Sequence, residues 1–471
     1  MKRKLLLVQP PIGRYDTAEV APPLSLLSLR LSAIERGYEC DILDLNLPSY
    51  RPLGDSASFY DTALDLIASH RPTDVGITSM GVNSHVAILL GSRVAVDLGC
   101  HTTLGGIHLS SIAEIARSVL PSSVRVHTGS ETHDNDWWAA VPSLASPVSA
   151  HRLFDGIELA PYFDANVRRV ANFEGGRGCK YSCAFCYSPP THFRWITHPP
   201  SFLVESFGTM EELGFRHVFL VEDNLTNSPP WLLDFAARLT CSDVSLTWNG
   251  YATLPDLTTD IVARVASANC TNLYIGIDAV VPAQQRAWRK SFFKTFSQVE
   301  PLLHAARDHG MQLTCAFILD IDPQSDATTA VTLEVARLLA DAGADTRLAV
   351  ITAYPKTALG SLPAAEYSED HAAILMDLPQ VVVENSLAPH ALNAFPWHAR
   401  PKHLAGVWER RLLAVHAAQV ILNDTTCRNY SDELWSQCLA VATTLNDQPS
   451  LHKSELKQAV RTIHASLTTA A

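Results

Sequence analysis

The middle of this 471-residue chain carries the sequence Gly175-Gly176-Arg177-Gly178-Cys179-Lys180-Tyr181-Ser182-Cys183-Ala184-Phe185-Cys186. Its cysteines are spaced C-x3-C-x2-C, and the glycines before them let the backbone fold closely around a bulky inorganic group. A cluster of four irons normally takes four thiolates, so three thiolates leave one iron open to a substrate or cofactor. The stretch therefore predicts an iron–sulfur site with an open iron.

Around these cysteines, apolar strands alternate with helices from Phe173 to about Leu359. Six such strand–helix units predict a partial barrel, whose chemistry lies at the C-terminal ends of its strands. The predicted strands after the first span 217–221, 245–248, 273–277, 312–318 and 348–352. The predicted helices span 200–213, 230–239, 258–268, 296–309 and 327–342.

Zinc is the alternative metal for the same cysteines. His192, six residues beyond Cys186, could supply a fourth ligand and close a tetrahedral structural site. A closed zinc site has no reason to lie at the mouth of a barrel, so the iron–sulfur cluster is favoured. The other cysteines are scattered singly and are expected to be small buried hydrophobic residues: Cys40, Cys100, Cys241, Cys270, Cys315, Cys427 and Cys438.

An earlier alternation of strands and helices begins with the apolar segment 5–8. It predicts a Rossmann-like parallel sheet with helices on both faces, which binds ligands beyond the C-terminal ends of its strands. Its predicted elements are a helix at 23–37, strands at 41–45 and 74–78, a helix at 85–98, a strand ending at Leu104 and a strand at 124–127.

The predicted fold class is thus α/β, in four parts along the chain. The Rossmann-like domain spans 1–145, an irregular linker 146–165, the barrel 166–385 and a helical region 386–471. The helical region is predicted from apolar residues at helical spacing, which indicate a cap on the barrel, with an oligomerisation surface as the alternative. Those residues are Leu404, Trp408, Leu412, Val415, Leu434, Cys438, Val441, Leu445, Leu456, Val460, Ile463 and Leu467.

Composition narrows the function. Thirty-six basic against 48 acidic side chains give a net charge of −12, which disfavours a nucleic-acid partner. The apolar run after Met1-Lys2-Arg3-Lys4 ends at Gln9, short of the roughly 7 to 15 residues of a signal peptide's apolar core. No apolar run approaches the roughly 20 residues of a membrane-spanning helix, so a cytoplasmic protein without a membrane partner is expected.

The cysteine motif, with the aromatic Phe185 just before its third cysteine, resembles the signature of the radical S-adenosylmethionine (SAM) superfamily. The resemblance implies that Cys179, Cys183 and Cys186 hold a [4Fe-4S] cluster and that SAM chelates the open iron through its amino and carboxylate groups. An electron passed to the sulfonium would then yield a 5′-deoxyadenosyl radical. The resemblance also implies an external electron donor of the flavodoxin or ferredoxin type.

Residues at other strand ends extend this resemblance toward SAM. Val221-Glu222-Asp223-Asn224-Leu225-Thr226 resembles the acidic segment after the family's second strand, which implies that Glu222 and Asp223 lie near the SAM ammonium. A solvated turn or helix N-cap is the alternative. Ile275-Gly276-Ile277-Asp278 matches the fourth strand, where relatives commonly have Glu for the ribose hydroxyls, and Asp278 is one methylene shorter. Phe185 is expected beside SAM as well.

The N-terminal half resembles the cobalamin-binding domain that precedes the barrel in one large radical SAM branch. The matching segments are Pro10-Pro11, Pro22-Pro23-Leu24, Leu43-Asp44-Leu45-Asn46, Leu104-Gly105-Gly106-Ile107-His108 and Thr128-Gly129-Ser130-Glu131. A cobalt-ligating His from D-x-H-x-x-G is missing in residues 1–150, so cobalamin is expected with its tail displaced and its lower face on 80–83. A Rossmann-like domain that binds no corrin is the alternative. The expected cobalamin contacts are Pro10, Ser79, Met80, Val82, Asn83, Leu104, Gly105, Gly106, His108, Thr128, Gly129 and Glu131.

Taken together, the resemblance implies a cobalamin-dependent radical SAM C-methyltransferase acting on an unactivated carbon of a small molecule or natural-product intermediate. Relatives that use both cofactors for cyclisation or rearrangement leave that alternative open. A radical SAM enzyme that modifies RNA is disfavoured, because only Cys40 and Cys100 precede residue 150 and the chain is acidic. A corrin-binding sensor is disfavoured by the intact cysteine triad.

Overall fold

A computed structural model of the chain describes residues 3–11, 20–50, 56–80, 83–128, 148–187, 195–320, 325–351 and 357–359, with single residues between 415 and 439. Among these described residues, no helix combines the length and apolarity needed to cross a membrane.

The N-terminal domain is a five-stranded parallel sheet in the order β2-β1-β3-β4-β5. Residues 5–8 of its first strand, which lies inside the sheet, are fully buried, as expected for a strand covered by helices on both faces. The strand order reverses between β1 and β3, which marks the crevice where such sheets bind ligands. The strands are β1 (Lys4–Gln9), β2 (Glu39–Asp44), β3 (Asp74–Thr78), β4 (His101–Gly105) and β5 (Val124–Val126).

Five helices accompany this sheet in the described part of the domain: α1 (Leu24–Glu35), α2 (Ser56–Ser69), α3 (Ser84–Asp97), α4 (Ile107–Ser111) and α5 (Ala113–Val119). The sequence pattern predicted α1 and α3 but not the other three. Helices α4 and α5 are short segments separated by Ile112, so neither presents enough turns for a clear apolar periodicity.

The second domain confirms the predicted partial barrel. Six parallel strands follow one another in chain order across the sheet, β6-β9-β10-β11-β12-β13. They are β6 (Val170–Phe173), β9 (His217–Leu220), β10 (Thr247–Ala252), β11 (Cys270–Asp278), β12 (Gln312–Leu319) and β13 (Asp345–Val350). The helices between them are α8 (Pro200–Glu212), α9 (Pro229–Thr240), α10 (Thr259–Ser267), α11 (Pro282–Ala287), α12 (Phe296–Asp308) and α13 (Asp326–Asp341).

Polar side chains close the N-terminal end of the barrel. His217 Nε2 pairs with Asn249 Oδ1 at 2.9 Å, and Asn272 Nδ2 donates to Thr314 Oγ1 at 2.9 Å. Thr314 Oγ1 in turn donates to Asp345 Oδ2 at 2.9 Å. These bonds link neighbouring strands near their first residues, at the end of the barrel opposite the one where such barrels carry their chemistry.

The linker predicted as irregular over 146–165 contains two short helices, α6 (Ala150–Phe154) and α7 (Ala160–Ala165). The apolar spacing of Ala150, Leu153 and Phe154 was hidden behind the proline-rich stretch before it. These three side chains share one buried core with α1 and with α8 of the barrel. The linker is therefore a packed joint between the two sheets.

A few helical residues of the predicted C-terminal region are described, and they lie against the barrel. Val415, Ala418, Leu422 and Trp435 are buried in its core. Gln419 covers the edge strand β13: its Oε1 accepts from Leu348 N at 2.8 Å and its Nε2 donates to Thr346 O at 2.5 Å. These contacts agree with the predicted cap, while the bounds 386–471 stay a prediction because most of that region lies outside the described residues.

Candidate functional site

The cysteine motif lies on a loop that leaves the barrel after β6. An antiparallel pair, β7 (Gly176–Arg177) and β8 (Ile196–Thr197), closes the base of this loop. Cys179, Cys183 and Cys186 are half-buried on it. Burial raises the pKa of the Cys183 thiol to about 11, and the nearby ammonium of Lys290 partly opposes that rise. Metal binding would have to displace these thiol protons.

The three thiols do not form a ready site for a single metal ion. Within the described ranges, no group of three His, Cys, Asp or Glu side chains is gathered closely enough to hold one ion. A four-iron cluster differs, because each of its ligands binds a different iron. His192, the fourth ligand of the zinc alternative, lies outside the described residues.

The acidic segment after β9 holds one side of the cluster loop. Asp223 Oδ2 accepts from Gly178 N at 2.8 Å, and Asn227 bonds the loop twice, at Lys180 N (3.1 Å) and at Gly178 O (2.7 Å). Asn224 Nδ2 donates to Asn227 Oδ1 at 3.0 Å. Asp223 was predicted as a SAM contact, whereas Asn227 was missed because it falls beyond the acidic motif.

A second carboxylate, that of Asp256, supports the loop from the segment after β10. Like Asn227, it was not predicted from the sequence. Asp256 accepts from Lys180 Nζ at 2.7 Å and from the Tyr181 hydroxyl at 2.6 Å. The two residues after Cys179 are thereby tied to a neighbouring strand end.

The other side of the loop is held by the segment after β11 and by residue 359. Ala184 N donates to Trp288 O at 2.8 Å, and Leu359 N donates to Ala184 O at 3.1 Å. Phe185 packs edge-on against Trp288, with ring centroids 5.7 Å apart. Phe185 was predicted to lie beside SAM. In the structure, its ring packs on Trp288 and anchors the loop to the barrel.

Glu222 presents a carboxyl group with an unused oxygen at the start of the loop. Its Oε1 accepts from Gly175 N at 2.5 Å, while its buried Oε2 has no hydrogen-bond partner. Burial raises the pKa of Glu222 to about 8. A side chain on Gly175 would place its Cβ 2.4 Å from Glu222 Oε1, so only glycine permits this approach. A cationic donor would satisfy the orphaned oxygen, which fits an ammonium ligand.

Asp278 lies at the end of β11 with a left-handed backbone (φ 59°), beside a register shift. Its Oδ2 pairs with Lys290 Nζ at 3.0 Å, and both side chains are almost fully buried. Burial lowers the pKa of Lys290, but Asp278 together with the nearby Cys183 and Cys186 outweighs burial and leaves that pKa raised. The ribose contact predicted for Asp278 is therefore in competition with an ion pair that the sequence did not reveal.

A second candidate site lies at the switch point of the N-terminal sheet. A narrow cavity opens there between α1 and strands β1, β3 and β4. Its lining is mostly apolar and contains three glycines: Leu7, Leu26, Leu29, Gly76, Ile77, Thr78, Thr103, Gly105, Gly106 and His127. A slot walled by backbone and aliphatic side chains suits a flat heteroaromatic group, such as the nucleotide base of cobalamin.

The loops around this cavity contain most of the predicted cobalamin contacts. Gly106 has φ 105°, and a Cβ on it would lie 2.2 Å from Ser79 O, so the loops after β3 and β4 touch. Asn83 bridges the loops after β1 and β3, since its Oδ1 accepts from Met80 N at 2.8 Å and its Nδ2 donates to Pro10 O at 3.2 Å.

The remaining predicted contacts divide by burial. Met80 is 41% exposed at the rim, whereas Asn83 and Leu104 are buried. His108 is also buried, which lowers the pKa of its imidazole to about 4. Thr128 follows β5 at the same edge of the sheet. Val82, Gly129 and Glu131 lie outside the described residues.

A hydrogen bond joins the loops of the two candidate sites. The hydroxyl of Tyr187, one residue beyond Cys186, donates to Ile107 O at 2.9 Å. Ile107 directly follows Gly105 and Gly106. The end of the cysteine motif therefore touches the glycine turn of the switch-point cavity.

Residues 173–336 match the family model of the Radical SAM superfamily. The barrel is therefore a radical SAM domain, which implies a [4Fe-4S] cluster and SAM, and the class defined by fold and site is that of radical SAM enzymes. Among curated proteins, no sequence matches this chain.

Solved structures share the two-domain fold. The radical SAM methyltransferase TsrM from Kitasatospora setae, with cobalamin and a [4Fe-4S] cluster bound, is 16% identical at a TM-score of 0.60, covering 99% of this chain and 100% of that one. A second structure of TsrM, with tryptophan substrate and the SAM analogue aza-SAM bound, is 16% identical at a TM-score of 0.54. That match covers 76% of this chain and 75% of that one. The cobalamin-dependent SAM radical enzyme OxsB, with aqua-cobalamin and SAM bound, is 13% identical at a TM-score of 0.53. That match covers 82% of this chain and 56% of that one.

The raised pKa of Glu222 gives a pH-dependence of stability. The folded chain keeps a proton on this carboxyl that the unfolded chain releases above its ordinary pKa of 4.5. The stability of the cofactor-free chain therefore falls as the pH rises from about 4.5 to 8, by at most about 1.4 kcal/mol per pH unit. Replacing Glu222→Gln removes this contribution, so the variant should gain stability relative to wild type between pH 5 and pH 8.

Melting temperatures of the cofactor-free proteins across that range provide the measurement. The exposed Glu212→Gln is the matched control and should follow wild type at every pH. A difference between Glu222→Gln and wild type that stays constant with pH would contradict the raised pKa.

Proposed function

We propose that this protein is a cobalamin-dependent radical SAM methyltransferase that methylates an unactivated carbon of a small molecule. The observation that carries this proposal is the hydrogen bond from Tyr187 to Ile107, which joins the cysteine loop to the glycine turn of the second site. A radical made at one site and a methyl group held at the other would meet the same substrate at this junction.

In this proposal Cys179, Cys183 and Cys186 hold the cluster, and Glu222 accepts from the ammonium of SAM. Asp223 keeps the loop in place through Gly178 N. When bound, the cluster and SAM together supply a 5′-deoxyadenosyl radical. The protein itself fixes the cysteine loop on both sides, with Asn227 and Asp256 on one side and Trp288 on the other. These contacts keep the three cysteines in fixed positions.

Cobalamin would place its displaced tail in the cavity between α1 and the sheet, bordered by Gly105 and Gly106. Its corrin would rest on the exposed Met80 at the rim. Pro10, Ser79 and Asn83 would support that rim, and Thr128 would contribute from the segment after β5. Gly129 and Glu131, outside the described residues, are kept as proposed contacts from the sequence alone. The buried Leu104 and His108 would support the glycine turn from below. That no histidine binds cobalt stays a prediction from the sequence.

The neighbours support both cofactors and the class of substrate. TsrM and OxsB have been solved with cobalamin, and TsrM with tryptophan as a small-molecule substrate. A flavodoxin or ferredoxin would supply the electron, and the cytoplasm, where both occur, would be the compartment.

Iron content tests the cluster. Replacing Cys179, Cys183 and Cys186 together by alanine should reduce about four irons per chain to nearly none after anaerobic reconstitution, because three thiolates hold the cluster. Iron analysis and the visible spectrum check this. Cys241→Ala, an exposed cysteine outside the loop, should keep full iron. Iron retained by the triple variant would refute the assignment.

Cobalamin affinity tests the cavity. The extra methyl groups of Gly105→Val would fill the slot, although a Cβ there meets nothing closer than His127 Cβ at 3.8 Å. We expect binding at least about tenfold weaker, which is about 1.4 kcal/mol, with unchanged iron content. Gly208→Ala in α8, where a Cβ meets Val244 at 3.7 Å, should bind as wild type. Equal affinities measured by spectral titration of hydroxocobalamin would exclude this site.

The product tests methyl transfer. Deuterated-methyl SAM should move its label onto a carbon of the product, with S-adenosylhomocysteine and 5′-deoxyadenosine released in about equal amounts, because one SAM donates the methyl group and a second gives the radical. Mass spectrometry follows all three species. Sustained release of 5′-deoxyadenosine without S-adenosylhomocysteine would instead indicate the cyclisation or rearrangement alternative.

A further inference from the structure

Lys290 is a buried cation that the reaction outlined above does not use. It is 6% exposed, and its Nζ lies 3.0 Å from Asp278 Oδ2 and 4.3 Å from the ring centroid of Phe292. Ionised side chains are rarely buried unless the surroundings hold them, because removing a charge from water is costly. The carboxylate and the aromatic face together keep this ammonium in the protein interior.

Two backbone features make room for the pair. Asp278 adopts a left-handed conformation next to the register shift of β11, which turns its carboxylate toward Lys290. A Cβ on Gly276 would lie 2.8 Å from Asp278 Oδ2 and 3.2 Å from Lys290 Nζ, so the missing side chain provides the space. In this arrangement the carboxylate of Asp278 is occupied by its ion pair with Lys290.

The pair lies against the cysteine loop. Trp288, two residues before Lys290, accepts through its carbonyl from Ala184 N, between Cys183 and Cys186. Phe292, whose ring faces Lys290 Nζ, packs on Tyr181 of the same loop with ring centroids 4.5 Å apart. The ammonium of Lys290 is therefore held beside the cysteine loop.

We propose that Lys290 holds a positive charge beside the iron–sulfur cluster and raises its reduction potential, and that Asp278 is a positioning residue for Lys290 instead of a ribose ligand. The inference rests on the proposed function in that the three cysteines must hold the cluster. Reduction adds one electron, supplied by an external low-potential donor, and hence one negative charge to the cluster. A buried cation nearby stabilises that added charge, because few solvent dipoles screen it.

The test is a potentiometric titration of the cluster in the absence of SAM, followed by electron paramagnetic resonance with dithionite as the reductant. Lys290→Met should lower the reduced fraction at a fixed potential about tenfold, equivalent to 59 mV for one electron. Asp278→Asn should shift the potential in the opposite direction, because its amide oxygen can still accept from Lys290 Nζ and keep it in place while the opposing negative charge is removed. Lys294→Met, an exposed lysine four residues away, should leave the potential unchanged.

Opposite shifts distinguish electrostatics from a structural role, since a damaged loop would move both variants the same way. The double variant Asp278→Asn with Lys290→Met leaves no unpaired buried charge, and its potential should lie below that of wild type. Unchanged potentials, or shifts of one sign in both single variants, would overturn the inference. So would weaker SAM binding at an unchanged potential, which would place these residues on SAM. A wild-type chain that takes up no iron would instead refute the proposed function.

Discussion

The constraint on which this structure depends is that an irregular loop must present three thiols without help from regular secondary structure. Its backbone amides cannot be satisfied by a helix or a sheet, so side chains and a backbone carbonyl from the segments after neighbouring strands accept from them. Asp223 and Asn227 do so after β9, and the carbonyl of Trp288 does so after β11. The barrel thus contributes to the site mainly as a rigid ring of hydrogen-bond partners.

The second requirement is a fixed distance between two sheets. Helix α1 belongs to the N-terminal sheet, yet its Leu27 and Leu31 are buried in the same core as the barrel helices. Two polar contacts reinforce that joint: Arg30 Nη1 donates to Asp155 O at 2.9 Å, and the Tyr162 hydroxyl donates to Asp44 Oδ2 at 3.2 Å. Together with the Tyr187 contact at the opposite end, they hold the domains at two separate places.

Sequence patterns predicted the parts of the molecule that are periodic or local. Both parallel sheets and the cysteine loop follow from apolar runs and from the spacing of the cysteines, and Glu222 was singled out because it directly follows a predicted strand. The unsatisfied oxygen of Glu222 emerges only from the structure. Lys290 and Asp256 could not be foreseen, because neither belongs to a motif. Asp256 bonds Lys180, 76 residues away in the chain. Lys290 pairs with Asp278, whose left-handed backbone beside a register shift the sequence does not reveal. The packed linker was missed for a related reason, since its helices are too short to show periodicity and are stabilised by the two sheets they join.

Gln419 covers backbone groups of the edge strand β13, and this contact forms late while the chain is being synthesised on the ribosome. Strand β13 ends at Val350, and Gln419 follows only about 70 residues later, which takes several seconds at the usual rate of roughly 5–20 residues per second. During that interval the N–H of Leu348 and the C=O of Thr346 lack the amide that later covers them. A nascent barrel would therefore expose a strand edge able to pair with another chain, so synthesis on the ribosome is a stage at which this fold is vulnerable to aggregation.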